Sequence, residues 1–167
     1  MWAEIIKKFS HFPAQEKVIR LLFERGFQIN SEGKVVSGTI EIPHTQIAKE
    51  ICVDRRVVNA TTRVILEDDK LSKVFQNLHS ITFLKEVAPL LGLSVIIITP
   101  QDAQQTGILG DVASLIAGQG ISIRQAVTDD PYFTEDPKLT IITNEKASGD
   151  LINAMMKLSS VKSVTVY

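Results

Sequence analysis

An α+β fold in two domains is predicted from three features of the 167-residue sequence. The second half alternates apolar strands with amphipathic helices in the order β-α-β-β-α-β. The first half places two helical segments around a tight turn, behind a short hairpin. The segment between the halves, residues 76–92, is too apolar for a free linker. We expect a winged-helix-like helix-turn-helix domain over residues 1–84 and a ferredoxin-like βαββαβ domain over residues 85–167.

The first elements of the N-terminal domain are marked by proline and glycine. A helix is predicted from Pro13 to Gly26, because apolar residues recur there at helical spacing. Phe27–Ile29 and Val35–Val36 flank a turn and predict a hairpin, and Thr39–Ile42 reads as a short strand. These elements lead directly into the helix-turn-helix.

The helix-turn-helix is predicted from Pro43 onward. Pro43–Ile51 forms a short helix, a turn follows at Cys52, and Asp54 serves as the N-cap of a longer helix. At 100° per residue, the two sides of this longer helix differ in chemistry. Its apolar side carries Val57, Val58, Ala60, Thr61, Val64 and Ile65, and its opposite side carries Arg55, Arg56, Asn59, Thr62 and Arg63.

Arginine, asparagine and threonine are side chains that reach base edges and phosphates. The polar side of the longer helix is therefore predicted to bind DNA, together with His44, Thr45 and Gln46 at the start of the short helix. His44 is expected to cap that helix or to face a phosphate. The alternative is a solvated, arginine-bearing face of a three-helix cap.

Two features limit the predicted affinity for DNA. The segment Lys70–Leu78 is helical in pattern, so the wing must come from the earlier hairpin or be incomplete. The acids Glu67, Asp68 and Asp69 follow the longer helix, where they oppose its dipole and repel phosphates. We expect only its first turns to approach DNA and dimerisation to supply affinity.

The C-terminal domain is predicted from periodicity and capping signals. Gly107 opens the first helix, and Ser148-Gly149-Asp150 caps the second. The four predicted strands are Leu93–Thr99, Ser122–Val127, Leu139–Thr143 and Val161–Tyr167. Because the first strand is apolar on both faces, we expect its second face to be covered by another copy of the chain or by the N-terminal domain.

The loop after the first strand resembles a known sensor. Asp102 to Leu109, followed by Gly120-Ile121-Ser122-Ile123, resembles the ACT domain, a small-molecule-sensing module of amino-acid biosynthetic enzymes and their regulators. The resemblance covers Leu93–Tyr167, with Thr106 where that family usually has proline. It implies a ligand site between this loop and the facing strand of a neighbouring chain. Its residues are Asp102, Thr106, Gly107, Ile108 and Leu109, with Ser122, Ile123 and Gln125.

The chemistry of this loop suits an amino acid. Backbone N–H groups at Gly107 and Ile108 would take the ligand carboxylate, and Asp102 would take its ammonium group. Arg124 could serve the carboxylate instead, although strand alternation places it on the outer surface. In the alternative interpretation, Gly107 only makes a tight turn.

The motifs together resemble one family. Residues 42–48, 53–58 and 87–92, followed by the C-terminal module, resemble the archaeal predicted regulators of amino-acid metabolism that contain an ACT domain. The resemblance covers almost the whole chain. It implies a cytoplasmic regulatory protein without catalytic activity.

Composition excludes several other classes. No apolar run approaches the ~20 residues of a membrane helix, and residues 1–9 lack a signal-peptide pattern, so a cytoplasmic location is expected. One cysteine rules out a disulfide framework, and the three histidines fit no metal or nucleophile motif. The net charge of −1 leaves DNA binding to a local patch. No cofactor, metal or membrane partner is expected.

One acidic loop leaves two interpretations open. Asp129, Asp130, Glu135 and Asp136 could bind a cation weakly or simply be solvated. Tyr132 and Phe133 in the same loop could cover a ligand or a partner, or anchor the loop.

The predicted function is an amino-acid-responsive transcriptional regulator that acts as a homodimer. The alternative is a regulatory subunit of an amino-acid biosynthetic enzyme that never touches DNA. A third interpretation is a lone sensor domain without an effector.

Overall fold

The computed structural model describes residues 2–131 and 134–167, so the predicted roles of Tyr132 and Phe133 lie outside the described residues. The chain separates into two compact units between Thr82 and Phe83, two residues before the predicted boundary. Within the described residues, no helix has the length and apolar character needed to cross a membrane.

The N-terminal unit contains five helices and a small sheet among its described residues. Proline opens the second helix, and the strands Gln28–Ile29 and Val35–Ser37 pair as an antiparallel hairpin, as predicted. The helices are α1 Trp2–Phe9, α2 Pro13–Arg25, α3 His44–Glu50, α4 Arg55–Glu67 and α5 Asp69–Gln76. The strands are β1 Gln28–Ile29, β2 Val35–Ser37 and β3 Ile40–Ile42, paired in that order.

One core holds this unit together. The apolar side of α4 contributes Val58 and Ile65, which are fully buried and pack in one cluster with α2, α3, α5 and the sheet. Burial of a large apolar side chain contributes about 1.5–3 kcal/mol, so the helix-turn-helix is anchored by its apolar side. The arrangement confirms the predicted helix-turn-helix, and the small sheet precedes it in sequence.

Gly26 ends α2 in a conformation that other residues avoid. Its φ of 62° lies in the left-handed region, and its N–H donates to the carbonyls at the end of the helix. A Cβ at this position would lie 2.7 Å from the backbone oxygen of His79. The turn after α2 therefore needs glycine both for its φ and for the close approach of the chain after α5.

The C-terminal unit confirms the predicted ferredoxin-like order. Its strands are β4 Ser94–Pro100, β5 Ile123–Thr128, β6 Leu139–Thr143 and β7 Val161–Val166, and its helices are α6 Ile108–Gly118 and α7 Gly149–Met156. The sheet order is β5-β6-β4-β7, and every paired strand is antiparallel. This is the split βαβ arrangement, in which α6 and α7 each connect a central strand to an edge strand and pack on one face of the sheet.

The two faces of this sheet are covered differently. Ile96, Ile98 and Ile141 face α6 and α7 and are fully buried. On the other face, Val95, Ile97 and Ile142 pack against Leu84, Ala88 and Leu93. The expectation that another chain or the N-terminal domain would cover this second face was wrong for its central residues, because the preceding segment of the same unit, residues 84–93, covers them.

Candidate DNA-binding helix and candidate effector cleft

The turn between α3 and α4 is closed by the backbone. The Val53 N–H donates to the Ala48 carbonyl at 2.9 Å, and the Cys52 N–H donates to Lys49 at 3.3 Å. Cys52 has a φ of 54° and is the one non-glycine residue with positive φ among the described residues. The turn predicted at Cys52 is confirmed, and it needs a left-handed residue there, a conformation that glycine adopts most readily.

Asp54 caps α4 as predicted. Its carboxylate accepts the Arg56 N–H at 2.7 Å, and the Arg56 side chain returns to the same carboxylate at 3.2 and 3.3 Å. The Arg56 hydrogen bond lowers the pKa of Asp54 below its ordinary value of 3.8, and Asp54 raises the pKa of Arg56 in turn. Arg56 therefore has a local counter-ion, and its charge is the least available of the α4 arginines.

The exposed side of α4 carries Arg55, Asn59 and Arg63, as predicted. Among the described residues, neither Arg55 nor Arg63 lies in an ion pair within 4 Å. Thr45 and Gln46 on α3 are exposed as well. These five side chains leave two unpaired cations and several hydrogen-bonding groups free to meet a polyanion.

Thr62 does not belong to this exposed set. It is only 3% exposed, and its hydroxyl donates to the Asn59 carbonyl at 3.1 Å. The hairpin turn at Gly33 lies against it, since a Cβ there would approach the Thr62 hydroxyl to 4.0 Å and Leu66 to 3.4 Å. Its prediction as a DNA contact was wrong because helical periodicity could not show that the β1–β2 turn covers this position. Ala60 was predicted on the apolar side of this helix, but it is exposed.

His44 also behaves differently from its predicted role. The N-cap of α3 is Pro43, and no side chain caps this helix. Instead, the Nδ1 atom of His44 lies 2.5 Å from the Asn59 Oδ1 atom across the turn. His44 is partly buried, so capping is wrong for this residue and contact with a phosphate remains a prediction.

The acids after α4 are not simply repulsive. Asp68 accepts the Lys70 and Leu71 N–H groups as the N-cap of α5, and its carboxylate pairs with Lys8. The hydrogen bond from Lys8 is the main cause that lowers the pKa of Asp68 to about 2. Its negative charge therefore already has a partner in the protein, while Glu67 and Asp69 remain exposed.

The C-terminal unit contains a cleft of about 510 Å³ beside the start of α6. Three predicted ligand-binding residues, Gly107, Ile108 and Leu109, line it. The opposite wall comes from the β5–β6 loop and includes Asp129, Asp130 and Lys138. The remaining described lining residues are Pro100, Ala103, Gln105, Thr128, Pro131, Pro137 and Leu139.

The α6 side of the cleft presents backbone donors. Gly107 stands at the N-cap with a φ of 91°, and no side chain caps the helix. The first N–H groups of a helix have no partner within it, and Gly107, Ile108 and Leu109, which line the cleft, belong to this terminus. A Cβ on Gly107 would approach only the Asp111 carboxylate, at 3.9 Å, which marks Asp111 as a competing negative charge in the first turn.

The loop side of the cleft presents carboxylates. Lys138 closes the loop, because its N–H donates to the Asp129 carboxylate at 3.1 Å and its ammonium group pairs with Asp136 at 3.2 Å. Within the described residues, no group of three or more His, Cys, Asp or Glu side chains is arranged to hold a metal ion. The cleft thus places anion-binding N–H groups opposite acidic side chains.

The other predicted ligand residues are not brought to this cleft. Asp102 and Thr106 are exposed and do not line it, and the Asp102 carboxylate accepts the Gln104 N–H at 2.9 Å within its own loop. Ser122 and Ile123 lie at the opposite end of the sheet, since Ile123 pairs with Thr143 and Thr143 with Ser94. The seven-residue length of β4 separates the two ends by roughly 20 Å.

A bulge sets the direction of the remaining side chains of β5. The register shifts between Ile123 and Gln125, which leaves Arg124 exposed in the bulge, as expected for a surface residue. Gln125 then faces the second side of the sheet, where its Oε1 accepts the Leu84 N–H at 3.0 Å. Within this chain, Gln125 therefore holds the covering segment rather than a ligand.

Sequence reasoning singled out the acids of the β5–β6 loop, as cation ligands or solvated groups, but missed that they form a wall of this cleft, although the topology contains a signal for it. Ile98 near the end of β4 pairs with Leu139 at the start of β6. Antiparallel pairing therefore brings the β5–β6 loop to the same end of the sheet as the loop before α6. Once the ferredoxin-like order is assumed, this proximity follows.

No family model and no curated protein matches this chain. Among the solved structures that resemble it are three that each align over 92% of this chain. They are a mutant of Rv3291c (15% identity, 89% of that chain, TM-score 0.30), an AsnC family transcriptional regulator from Agrobacterium tumefaciens (12%, 86%, 0.28) and MtbAldR (14%, 90%, 0.28). Likenesses of this size assign no function to the chain.

Proposed function

We propose that this chain is a cytoplasmic, homodimeric transcription regulator that binds DNA through α3–α4 and an amino acid at the cleft beside α6. One observation carries the proposal. Arg55, Asn59 and Arg63 lie on one exposed side of a helix whose apolar side is anchored in the core behind a closed helix-turn-helix. The proposed activity is binding alone, with no catalytic step and no cofactor.

The surface of α4 supports DNA as the partner. Arg55 and Arg63 supply positive charge for phosphates or guanine, and Asn59 can read a base edge. Thr45 and Gln46 at the start of α3 can hydrogen-bond the backbone of the same groove. The pairing of Asp68 with Lys8 reduces the repulsion that the acids after α4 would exert.

The cleft supports an amino acid as the effector. A carboxylate can take the N–H groups at Ile108 and Leu109, and an ammonium group can meet Asp129 across the cleft. Asp129 is better placed for this role than Asp102, because Asp129 lines the cleft and Asp102 does not. A second copy of the chain could still add Ser122 and Ile123 to the rim.

An exposed apolar surface supports the homodimer. Phe83, together with Val87, Leu90 and Leu91 of the covering segment, is part of a set of apolar side chains that are 41–86% exposed, Leu90 the most. Exposed apolar surface of this kind is typical of protein–protein contacts. Light scattering should give the mass of two chains at micromolar concentration, and a stable monomer would contradict the dimer.

DNA binding is tested by retention on duplex fragments as salt is raised. The double variant Arg55→Ala/Arg63→Ala should weaken binding by about 2–6 kcal/mol, since each lost contact is worth about 1–3 kcal/mol. The double variant Arg20→Ala/Arg25→Ala removes the same charge from α2, where Arg20 pairs with Glu16 and Arg25 with Glu50. It should change retention little.

Two outcomes would contradict this part of the proposal. Equal losses in both double variants would show nonspecific attraction rather than a recognition helix. Absence of retention at low salt would favour the regulatory-subunit alternative.

Effector binding is tested by calorimetry against the twenty amino acids. Asp129→Ala should remove a charge-assisted bond worth roughly 1.5–3 kcal/mol, or about ten- to hundredfold in affinity. Gly107→Val should block the approach to the α6 N-terminus. Asp102→Ala is the matched carboxylate control and should bind as the wild type does; the reverse order of the two aspartate variants would move the site to the Asp102 loop.

A further inference from the structure

His44 and Asn59 form a contact that ties the two helices of the helix-turn-helix together. His44 is the first residue of α3, and Asn59 lies in the second turn of α4. Their Nδ1 and Oδ1 atoms are 2.5 Å apart. A carboxamide oxygen can only accept a hydrogen bond, so Nδ1 of His44 carries the hydrogen and donates it to Asn59.

The rest of the imidazole has no polar partner. The Nε2 atom of His44 is buried and, among the described residues, has no hydrogen-bond partner. The ring is therefore held in place by packing on one side and by the Asn59 bond on the other. This bond decides which end of the Asn59 carboxamide faces the protein.

The consequence for Asn59 is directional. With Oδ1 turned toward His44, the Nδ2 group is the other end of the carboxamide, and Asn59 is exposed on the side of α4 that also carries Arg55 and Arg63. Asparagine normally reads adenine by using its oxygen as acceptor and its nitrogen as donor together. When the oxygen of an asparagine already accepts a hydrogen bond, its NH2 group is the part most available to a base, and that group is a donor.

We propose that His44 is a positioning residue that holds the Asn59 carboxamide nitrogen outward, so that α4 selects guanine, with its acceptors N7 and O6, over adenine at one base pair. The inference rests on the proposed function, because it assumes that α4 enters a DNA groove. It adds to that function the identity of the base and the residue that sets it.

The test compares base preferences in the full-length protein. Wild type, His44→Phe, His44→Asn and Asn59→Ala are each used to select duplexes from a randomised DNA pool, and the bound fraction is sequenced. His44→Phe keeps the ring and removes an unpaired buried nitrogen, so it should fold. His44→Asn places an amide donor close to the position of Nδ1 and is the conservative variant.

The expected result is confined to one position. Wild type selects guanine there; His44→Phe loses that preference over adenine by about fivefold or more, and Asn59→Ala loses it at the same position. His44→Asn restores it. A purely structural role for His44 would weaken binding to all sequences alike and leave the preference unchanged.

The outcomes separate the inference from the function beneath it. If no variant and no wild-type protein retains DNA, the proposed function fails and the inference fails with it. If DNA is bound but His44→Phe keeps the wild-type preference, or alters a different position from Asn59→Ala, the inference alone is overturned. Nitrogen NMR of the His44 ring gives a readout without DNA, since a ring lacking hydrogen on Nδ1 would also overturn it.

Discussion

The N-termini of α4 and α6 differ in whether a side chain caps their free backbone N–H groups. Each begins close behind a residue in the left-handed conformation, Cys52 before α4 and Gly107 before α6. At α4, the Asp54 carboxylate accepts the N–H of Arg56, the second residue of the helix, at 2.7 Å. At α6, no side chain caps the helix, and the first turn borders the 510 Å³ cleft.

The difference indicates what each helix offers to a partner. A capped N-terminus already holds an anion, so α4 can meet a partner only through its side chains. An uncapped N-terminus leaves its backbone donors and partial positive charge available, which suits a small anionic group. The proposed division into a DNA-reading helix and an effector-binding helix follows from this contrast.

The largest expected effect on the free energy of unfolding concerns the left-handed glycine at the start of α6. Gly107→Ala should lower the free energy of unfolding by about 1–2 kcal/mol, because its φ of 91° is costly for any residue with a Cβ. Gly110→Ala is the matched control within α6, where the site is open, and should gain up to about 1 kcal/mol from better helix propensity. Urea unfolding measures both, and a loss in both variants would contradict the account of Gly107.

Next in size is the loss of the α4 cap. Asp54→Ala should lower the free energy of unfolding by about 1 kcal/mol, because the Arg56 N–H loses its acceptor. Asp54→Asn keeps a capping oxygen and removes only the exposed ion pair with Arg56, so it should stay close to wild type. If the two variants lose equally in urea unfolding, the ion pair rather than the cap stabilises this terminus.

A smaller effect, of opposite sign, is expected at the turn before α4. Cys52→Gly should raise the free energy of unfolding by about 0.5–1 kcal/mol, since glycine adopts a φ of 54° without steric cost but loses more entropy on folding. Cys52→Ala keeps the strain and should leave stability nearly unchanged. An equal gain from alanine would assign the effect to the thiol instead of the backbone.

The smallest expected effect is acid sensitivity at Asp68, the cap of α5. Its pKa is lowered from 3.8 to about 2 in the folded protein, so the unfolded chain takes up this proton more readily. The stability from this group is complete above about pH 4 and is lost as pH falls toward 2.

The Asp68 effect is measured by thermal unfolding between pH 4 and pH 2. Asp68→Asn keeps a capping oxygen but cannot titrate, so its melting temperature should fall less than that of wild type over this range. Lys8→Gln removes the ion-pair partner of Asp68 and should also reduce the fall of the melting temperature between pH 4 and pH 2. Parallel slopes in all three proteins would show that this pair does not contribute.

Much of the fold could be predicted from sequence because its signals are local. Helical periodicity, the caps at Asp54 and Ser148 and the stop at Gly26 act within a few residues, and each appears in the structure as expected. The short helix α1 was not predicted, since eight residues without a clear cap give a weak signal. The exposed positions of Arg55, Asn59 and Arg63 followed from the 100° repeat alone.

The candidate sites were predicted less completely because they join distant residues. The acidic wall of the cleft comes from a loop more than twenty residues beyond Gly107, and Asp102, the carboxylate nearest in sequence, is used by its own turn. The second face of the C-terminal sheet is covered by residues 84–93, most of which belong to the apolar segment that the sequence placed between the two domains.

By itself, the sequence determined the order of the helices and strands after α1, the caps at Asp54 and Ser148 and the polar side of α4, because backbone hydrogen bonding and side-chain periodicity depend on neighbouring residues. Only the tertiary structure decided that the hairpin turn buries Thr62, that His44 donates to Asn59, and that the β5–β6 loop faces the start of α6. Each of these contacts depends on how separate elements pack, and packing is settled by shape and burial over the whole unit rather than by any local pattern.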